Sequence, residues 1–478
     1  MKILFTHGYF IREDQKELQI MRPYVPLGIL YISSYLEKHG FENDVFDSTF
    51  SSFDNLVNHI IETEPDVVCL YTNLMTKLNV LKIIKCIKAN PKLKHIKVIL
   101  GGPEVRNHIS NFLNHGADYI IIGEGEETSL ELMNCLKSFS HSELFSLSPE
   151  TLKQVQGEQT LKLNAINGLA FLENGVVIET PERTLIKDIN VLPFPNRTKI
   201  NFDPYLKGWK KAHGYSMMSV STMRGCPYTC KWCSRAVYGG TYRRRSPELV
   251  AQELKQLKEV YNPDMIWFVD DVFTIHHKWL NEFADEVKKQ DAKIPYEIIS
   301  RADRLNEDVI KTLKASGCFR VWVGAESGSQ KIIDAMDRRV DVIKTREMIN
   351  LAKQHGIEAG TFIMLGYPGE TKDDIKETIK HLVVANPSQY TITIAYPIKG
   401  TELYDEVKNE FLNQQLDWET STDRDIDFKR SHPKKYYQHA IKWVMNEVYL
   451  QTKNKNKLKV PYLKLKSLKF QFQMLINR

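Results

Sequence analysis

The chain has 478 residues, 42% hydrophobic and 26% charged, with a net charge of +6. At about 150 residues per domain that length suits two to four domains with large buried cores, and the charged fraction is that of an ordinary soluble protein. No apolar run reaches the roughly 18 residues of a membrane span, and Met1-Lys2-Ile3-Leu4-Phe5 reads straight into a strand without the regions of a signal peptide, so a cytoplasmic location is expected.

Residues 1–138 alternate strand and helix. Short apolar runs at Lys2–Thr6, Asp44–Phe46, Asp66–Tyr71, Lys97–Leu100 and Tyr119–Ile122 are separated by helical patterns such as Leu27–Lys38 and Leu78–Ala89. Near-continuous apolar strands joined by helices predict a parallel sheet buried on both faces, a doubly wound α/β domain. Its ligand is expected at the carboxyl ends of the strands. Residues 139–215 read as a linker. A Ser- and Gln-rich stretch comes first, then Gly168–Leu172 and Val176–Glu179 flank an Asn174-Gly175 turn signal and predict a hairpin. Leu192-Pro193-Phe194-Pro195 reads as extended.

Residues 216–400 alternate again, with strands expected at Ser216–Ser221, Met265–Asp270, Tyr296–Ser300, Arg320–Val323, Thr361–Leu365 and Thr391–Ala395. Leu249–Val260 and Ile375–Val384 are the clearest helical patterns between them. Six such units suit a partial (β/α)6 barrel, whose chemistry gathers at the strand carboxyl ends. Residues 401–478 read as a helical C-terminal region with a basic tail. Lys453, Lys455, Lys457, Lys459, Lys464, Lys466, Lys469 and Arg478 occur there with no acid after Glu447. Such a tail is usually solvated or loosely docked, and it suits an anionic surface, nucleic acid or membrane.

Of seven cysteines, Cys69, Cys86, Cys135 and Cys318 lie scattered in apolar stretches and read as small buried hydrophobes. An odd count in a reducing compartment argues against a disulfide framework. The other three form Cys226-x3-Cys230-x2-Cys233 just after the first barrel strand. Three thiolates at this spacing can wrap a cubane cluster and leave its fourth iron open. Zinc and purely structural cysteines are the alternatives, but zinc usually takes a fourth Cys or His nearby, and none follows here.

The segment Arg224-Gly225-Cys226-Pro227-Tyr228-Thr229-Cys230-Lys231-Trp232-Cys233 resembles the radical S-adenosylmethionine (SAM) superfamily. The resemblance implies a 4Fe–4S cluster on Cys226, Cys230 and Cys233, with SAM on the open iron. Trp232, before the last cysteine, fits the same pattern. Later segments extend it. Asp270-Asp271 ends a strand, and since like charges are not both buried cheaply, one is expected to meet a donor. Arg301 follows the next strand and can grip a carboxylate bidentately, or form a surface ion pair. Glu326, in Gly324-Ala325-Glu326-Ser327, is expected on a ribose hydroxyl, and the Gly366-Tyr367-Pro368-Gly369-Glu370-Thr371 turn beside the adenine or methionyl end. The resemblance thus places Trp232, Asp270, Arg301, Glu326 and Gly366 around SAM. Arg243, Arg244 and Arg245 read as solvated, with a phosphate or carboxylate substrate as the alternative, and Ser246 and Pro247 open a helix.

Residues 1–138 in turn resemble the cobalamin-binding domain that precedes many radical SAM barrels. Val25-Pro26-Leu27-Gly28, Leu100-Gly101-Gly102-Pro103-Glu104 and Gly123-Glu124-Gly125-Glu126 carry the likeness. It implies cobalamin contacts at Thr72, Asn73, Gly101, Gly102, Gly123 and Glu124. The Asp-x-His-x-x-Gly signature of cobalt ligation is absent, and His7 reads as a loop side chain. Together these resemblances imply a cobalamin-dependent radical SAM methyltransferase acting on a small molecule, fed electrons by a flavodoxin or ferredoxin, with no specific nucleic acid. A radical dehydration, rearrangement or ring closure without methyl transfer is the second reading, and a cobalamin or cluster sensor the third.

Overall fold

The computed structural model describes residues 1–139, 149–413, 416–454 and 456–477, with side chains throughout except over 149–156. Two compact units divide them: residues 1–218 with 235–244 and 417–422, and residues 219–234 with 245–416 and 423–478.

The first unit is built on β1 (Ile3–His7), β2 (Asp44–Phe46), β3 (Val67–Tyr71), β4 (Lys97–Gly101), β5 (Tyr119–Ile121), β6 (Leu169–Glu173) and β7 (Val176–Glu179). They lie side by side in the order β2-β1-β3-β4-β5-β6-β7. The first five are parallel, and β6 joins β5 antiparallel. Val67, Val68, Cys69 and Leu70 are buried in succession, as a strand covered on both faces requires. Helices α1 (Gln15–Ile20), α2 (Leu27–Lys38), α3 (Phe53–Thr63), α4 (Lys77–Ala89), α5 (Ile109–Asn114), α6 (Gly125–Ser138), α7 (Pro149–Asn164) and α8 (Asp203–His213) connect or follow the strands. Wholly buried Leu56, Val80, Ile84, Val98 and Phe112 fill one core with Leu70 and Leu100, each such side chain contributing about 1.5–3 kcal/mol. The order 2-1-3-4-5 reverses direction between β1 and β3, so the ligand crevice belongs outside their carboxyl ends. The hairpin read as part of a linker extends this sheet. Its Asn174 and Gly175 both take positive φ, the geometry of a tight two-residue turn. The Ser- and Gln-rich stretch before it lies partly outside the described residues.

Residues 417–422, from the C-terminal region of the sequence, also pack in this unit. Trp418 Nε1 bonds His108 Nδ1 at 3.2 Å, and its ring meets Phe112 edge-on at 4.9 Å. Lys77, nearly fully buried, sets its ammonium 4.2 Å from the same ring and donates to the Ser421 carbonyl at 2.8 Å.

The second sheet holds β8 (Met217–Val220), β11 (Met265–Phe268), β12 (Tyr296–Ser300), β13 (Cys318–Glu326), β14 (Glu358–Leu365) and β15 (Gln389–Ile394), each beside its predecessor. The two-residue strands β9 (Met223–Arg224) and β10 (Arg243–Arg244) fall in the long segment after β8. Pairings from β11 to β15 are parallel. Helices α9 (Pro247–Val260), α10 (His277–Lys289), α11 (Glu307–Ser316), α12 (Gln330–Ala335), α13 (Val342–Gln354) and α14 (Lys372–Ala385) alternate with the strands. Six strands in sequential order with two unpaired ends make the partial (β/α)6 barrel that the alternation predicts. Local signals set the helix starts: Ser246 caps α9 through the Leu249 amide, and Thr371 and Asp374 form a reciprocal capping box on α14. Beyond the barrel come α15 (Glu402–Val407), α16 (Lys434–Val448) and α17 (Val460–Leu475). No described helix is long and apolar enough to cross a membrane.

Candidate active site

In the second unit the cysteine loop leaves β8 and is anchored at both ends. Asp270, just past β11, is buried and accepts from the Thr222 amide at 2.7 Å, the Met223 amide at 3.2 Å and the Thr222 hydroxyl. Further along, the Leu403 amide donates to the Lys231 carbonyl at 2.9 Å, and Lys231 Nζ meets Glu402 at 3.2 Å and also Glu406. Trp232 packs on the apolar cluster of Ile332, Met336, Tyr367 and Leu403.

Cys230 is buried, Cys226 half-buried and Cys233 exposed. Two guanidinium groups converge on Cys230: Arg338 Nη1 lies 3.5 Å and Arg301 Nη1 3.8 Å from its sulfur. Two donors this close can hydrogen-bond a ligating sulfur and orient it, as outer partners of a metal site do. The donor set therefore fits a cluster. Burial raises the Cys226 thiol, so loading releases a proton there. Among the described residues no three His, Cys, Asp or Glu side chains converge on a single-ion position. A cubane seats each thiolate on its own iron, so its ligands need not converge.

Arg301 is locked from several sides. It bonds Asp303 at 2.9 Å and the Arg338 carbonyl at 2.8 Å, and stacks on Tyr228 with its guanidinium carbon 3.7 Å from the ring centre. It is buried, which rules out the surface ion pair. Arg338 is fixed by the Gly324 carbonyl at 3.0 Å and faces Glu326 at 3.9 Å. A β-bulge in β13 brings Glu326 to this point with φ at +63°. A Cβ on Gly324 would stand 2.4 Å from Arg338 Nη2 and 2.8 Å from the Glu326 carboxylate, so any side chain there would displace both groups. Among the described residues the Glu326 carboxylate takes no hydrogen bond. It has acceptor capacity for the ribose hydroxyl of SAM, and burial raises its pKa. Asp271 is exposed, unlike its neighbour, and its charge adds to the burial that raises the Cys226 thiol. Gly366 holds φ at +79° while its amide donates to Glu370 at 2.6 Å. Burial pushes the Glu370 carboxyl up to about 8.

In the first unit the carboxyl edge presents Gly101 and Gly102. A Cβ on Gly101 would meet nothing within 4 Å, whereas one on Gly102 would strike the Thr72 carbonyl at 2.4 Å. One glycine thus opens space and its neighbour lets the turns close, a shape that fits a bulky cofactor tail. Thr72 and Asn73 spend their side chains locally. Asn73 Oδ1 accepts from the amides of Met75 and Thr76 at 2.9 and 3.0 Å, and the Thr72 hydroxyl turns to the Leu70 carbonyl. Gly123 turns with φ at +85°. Glu124 is buried and bound by Arg243 at 2.7 Å and the Ile186 amide at 2.8 Å. Arg243 is therefore not solvated. Neither is Arg245, which pairs with buried Glu253. His7 is buried rather than looped out, with Nε2 3.0 Å from Asp47 and Nδ1 2.9 Å from Ser48.

Arg338 carries no sequence signal. It follows a short helix, and no strand or glycine motif marks it.

The comparisons with known proteins agree with this layout. The radical SAM superfamily model matches residues 220–382, and the B12-binding domain model matches residues 20–133. The chain is 30% identical over 421 residues to an uncharacterized methyltransferase of Pyrococcus horikoshii, covering 85% of this chain and 83% of that one. It is 24% identical to the anaerobic magnesium-protoporphyrin IX monomethyl ester cyclase of Rubrivivax gelatinosus, over 85% of this chain and 70% of that one. The cobalamin-dependent SAM radical enzyme OxsB, solved with aqua-cobalamin and SAM, shares the fold with a TM-score of 0.72 at 15% identity, over 99% of this chain and 72% of that one. The chain belongs to the radical SAM superfamily, in the branch that carries a B12-binding domain ahead of the radical SAM domain, and it is an enzyme. Its cofactors are a 4Fe–4S cluster, SAM and cobalamin.

Proposed function

We propose that the protein methylates an unactivated carbon of a small molecule, the cluster and SAM supplying a hydrogen-abstracting 5′-deoxyadenosyl radical and cobalamin the methyl group. The observation that carries this reading is a single chain matching both domain models and spanning most of a 30%-identical methyltransferase. Cys226, Cys230 and Cys233 hold the cluster. Arg301 and Arg338 donate to the Cys230 sulfur and hold it in place. Glu326 would accept from the ribose of SAM and Asp271 from its amine, with Trp232 and the Gly366 turn beside them. Asp270 acts one step back, by holding Thr222 and Met223 at the root of the loop. Gly101 would leave room for the cobalamin tail, with Gly102, Thr72, Asn73 and Gly123 shaping the turns and Glu124 tying Arg243. The cofactors do the difficult chemistry, while these side chains bind, orient and exclude water. The setting is cytoplasmic, with a flavodoxin or ferredoxin as donor.

Protein purified without oxygen from cobalamin-fed cells should carry about four irons and one cobalamin per chain, and its product should gain one CH2. Cys226→Ala should lose iron and reductive SAM cleavage together, and cleavage retained in that variant would refute the ligand assignment. The cyclase relative favours a second reading, a ring-forming oxidation. A product that has lost hydrogen or water, from protein without cobalamin, would select it.

A further inference from the structure

The last helix has two faces of different chemistry. α17 packs on α16 through Leu463, Ser467 and Met474, all buried, with Phe470 half-buried against the same core. Asn446 sets the register by donating to the Leu463 carbonyl at 2.8 Å and the Ser467 hydroxyl at 2.7 Å. The opposite face should then be polar. It is instead apolar: Tyr462, Leu465, Leu468, Phe472, Leu475 and Ile476 each stand 55–65% exposed. Their steps of three and four residues, and the last of one, align them as one stripe at about 100° per residue. A continuous exposed apolar stripe of this size marks an interaction surface.

Charge decides what the stripe meets. By the same helical angle Lys464 lies along one border, Lys466 beyond the other and Lys469 just inside that second edge, and no acid occurs between residues 448 and 478. A second copy of the chain would bring lysines against lysines. Nucleic acid would satisfy the lysines but leave Leu465, Leu468, Leu475 and Ile476 facing phosphate and sugar. An anionic bilayer satisfies both, with aliphatic and aromatic side chains at the acyl boundary and lysines reaching to the headgroups. We propose that α17 is an interfacial membrane helix that docks the enzyme on anionic lipid.

The test is flotation of the full-length protein with vesicles. Protein should float with phosphatidylcholine vesicles containing about a third phosphatidylglycerol, stay behind with pure phosphatidylcholine, and come off as salt rises. Replacing Lys464, Lys466 and Lys469 with Gln should weaken binding about a hundredfold, at the usual strength of a lysine near such a surface. Leu465→Glu with Phe472→Glu should abolish it without changing iron content or the unfolding midpoint, since both side chains are exposed. The wild-type lipid dependence needs no variant, so a misfolded mutant leaves the proposal testable. Equal binding to neutral and anionic vesicles, or none to either, overturns it. So does a dimer that Leu465→Glu dissociates, or nucleic-acid capture that the Gln variants lose, with no vesicle binding.

Discussion

Asp270 and Asp271 adjoin in sequence and differ in task. Asp270 is buried under three donors, two backbone amides and a hydroxyl. Asp270→Asn would turn an amide NH2 toward a group that donates, at a cost of about 1.5–3 kcal/mol for a hydrogen bond to a charged acceptor. Its unfolding midpoint in denaturant should fall accordingly. Asp271 is exposed beside the cysteines, so Asp271→Asn should keep the parent midpoint and slow 5′-deoxyadenosine release. A destabilised Asp271→Asn with unimpaired cleavage would reverse these roles. The paired acids are visible in the sequence, and so is the expectation that one meets a donor. Which one does so is not, because the choice depends on where β11 stops. The cysteines are legible because their spacing is local. Arg338 is not, since it reaches Cys230 from 108 positions further along the chain.

At the scale of elements, the turn after β14 stores a proton. Burial pushes Glu370 up to about 8 while one of its oxygens holds the Gly366 amide. An unfolded carboxyl titrates near about 4.3. Between those values the folded chain keeps a proton that the unfolded chain has lost, so this group's contribution is full below about 4.3 and is lost as pH rises to 8. Glu370→Gln keeps an acceptor for Gly366 and cannot ionise. The variant's Tm relative to the parent should therefore climb between pH 5 and pH 8.5, and parallel Tm curves would show that burial does not hold the proton. Element boundaries were legible where pattern and packing agree. Asp44–Phe46 and Tyr296–Ser300 are strands as read. They diverge where a side chain is re-aimed. The pattern carries a strand to Asp270, but β11 ends at Phe268 as the chain turns Asp270 back onto Thr222. Arg320–Val323 lengthens to Cys318–Glu326, because pairing with β14 through a bulge carries Gly324 and Glu326, residues of poor strand propensity, into the ladder.

At the scale of the whole chain, the linear division into consecutive domains hides a return. The first unit takes residues 235–244 and 417–422 from segments that follow its main body. Each brings a partner for a buried charge. Arg243 meets Glu124 at 2.7 Å, and the ring of Trp418 lies 4.2 Å from the ammonium of Lys77. Periodicity cannot reveal this, because ten and six residues are too few to show a pattern of their own. The consequence is a limit on truncation. A fragment ending at residue 218 keeps every strand from β1 to β7 but strips Glu124 of its guanidinium and uncovers Lys77. Removing one partner of a buried ion pair costs about 3–5 kcal/mol, a large part of a domain's stability of about 5–15 kcal/mol. The isolated fragment should bind a hydrophobic dye and unfold at lower denaturant than the cooperative transition that added cobalamin raises in the full chain. Glu124→Gln in the full chain should shift that same transition in the same direction, since it weakens the pair without removing the segment. A fragment that unfolds at the full-length midpoint and binds cobalamin equally well would show instead that residues 1–218 are self-sufficient and that the returning segments merely rest on them.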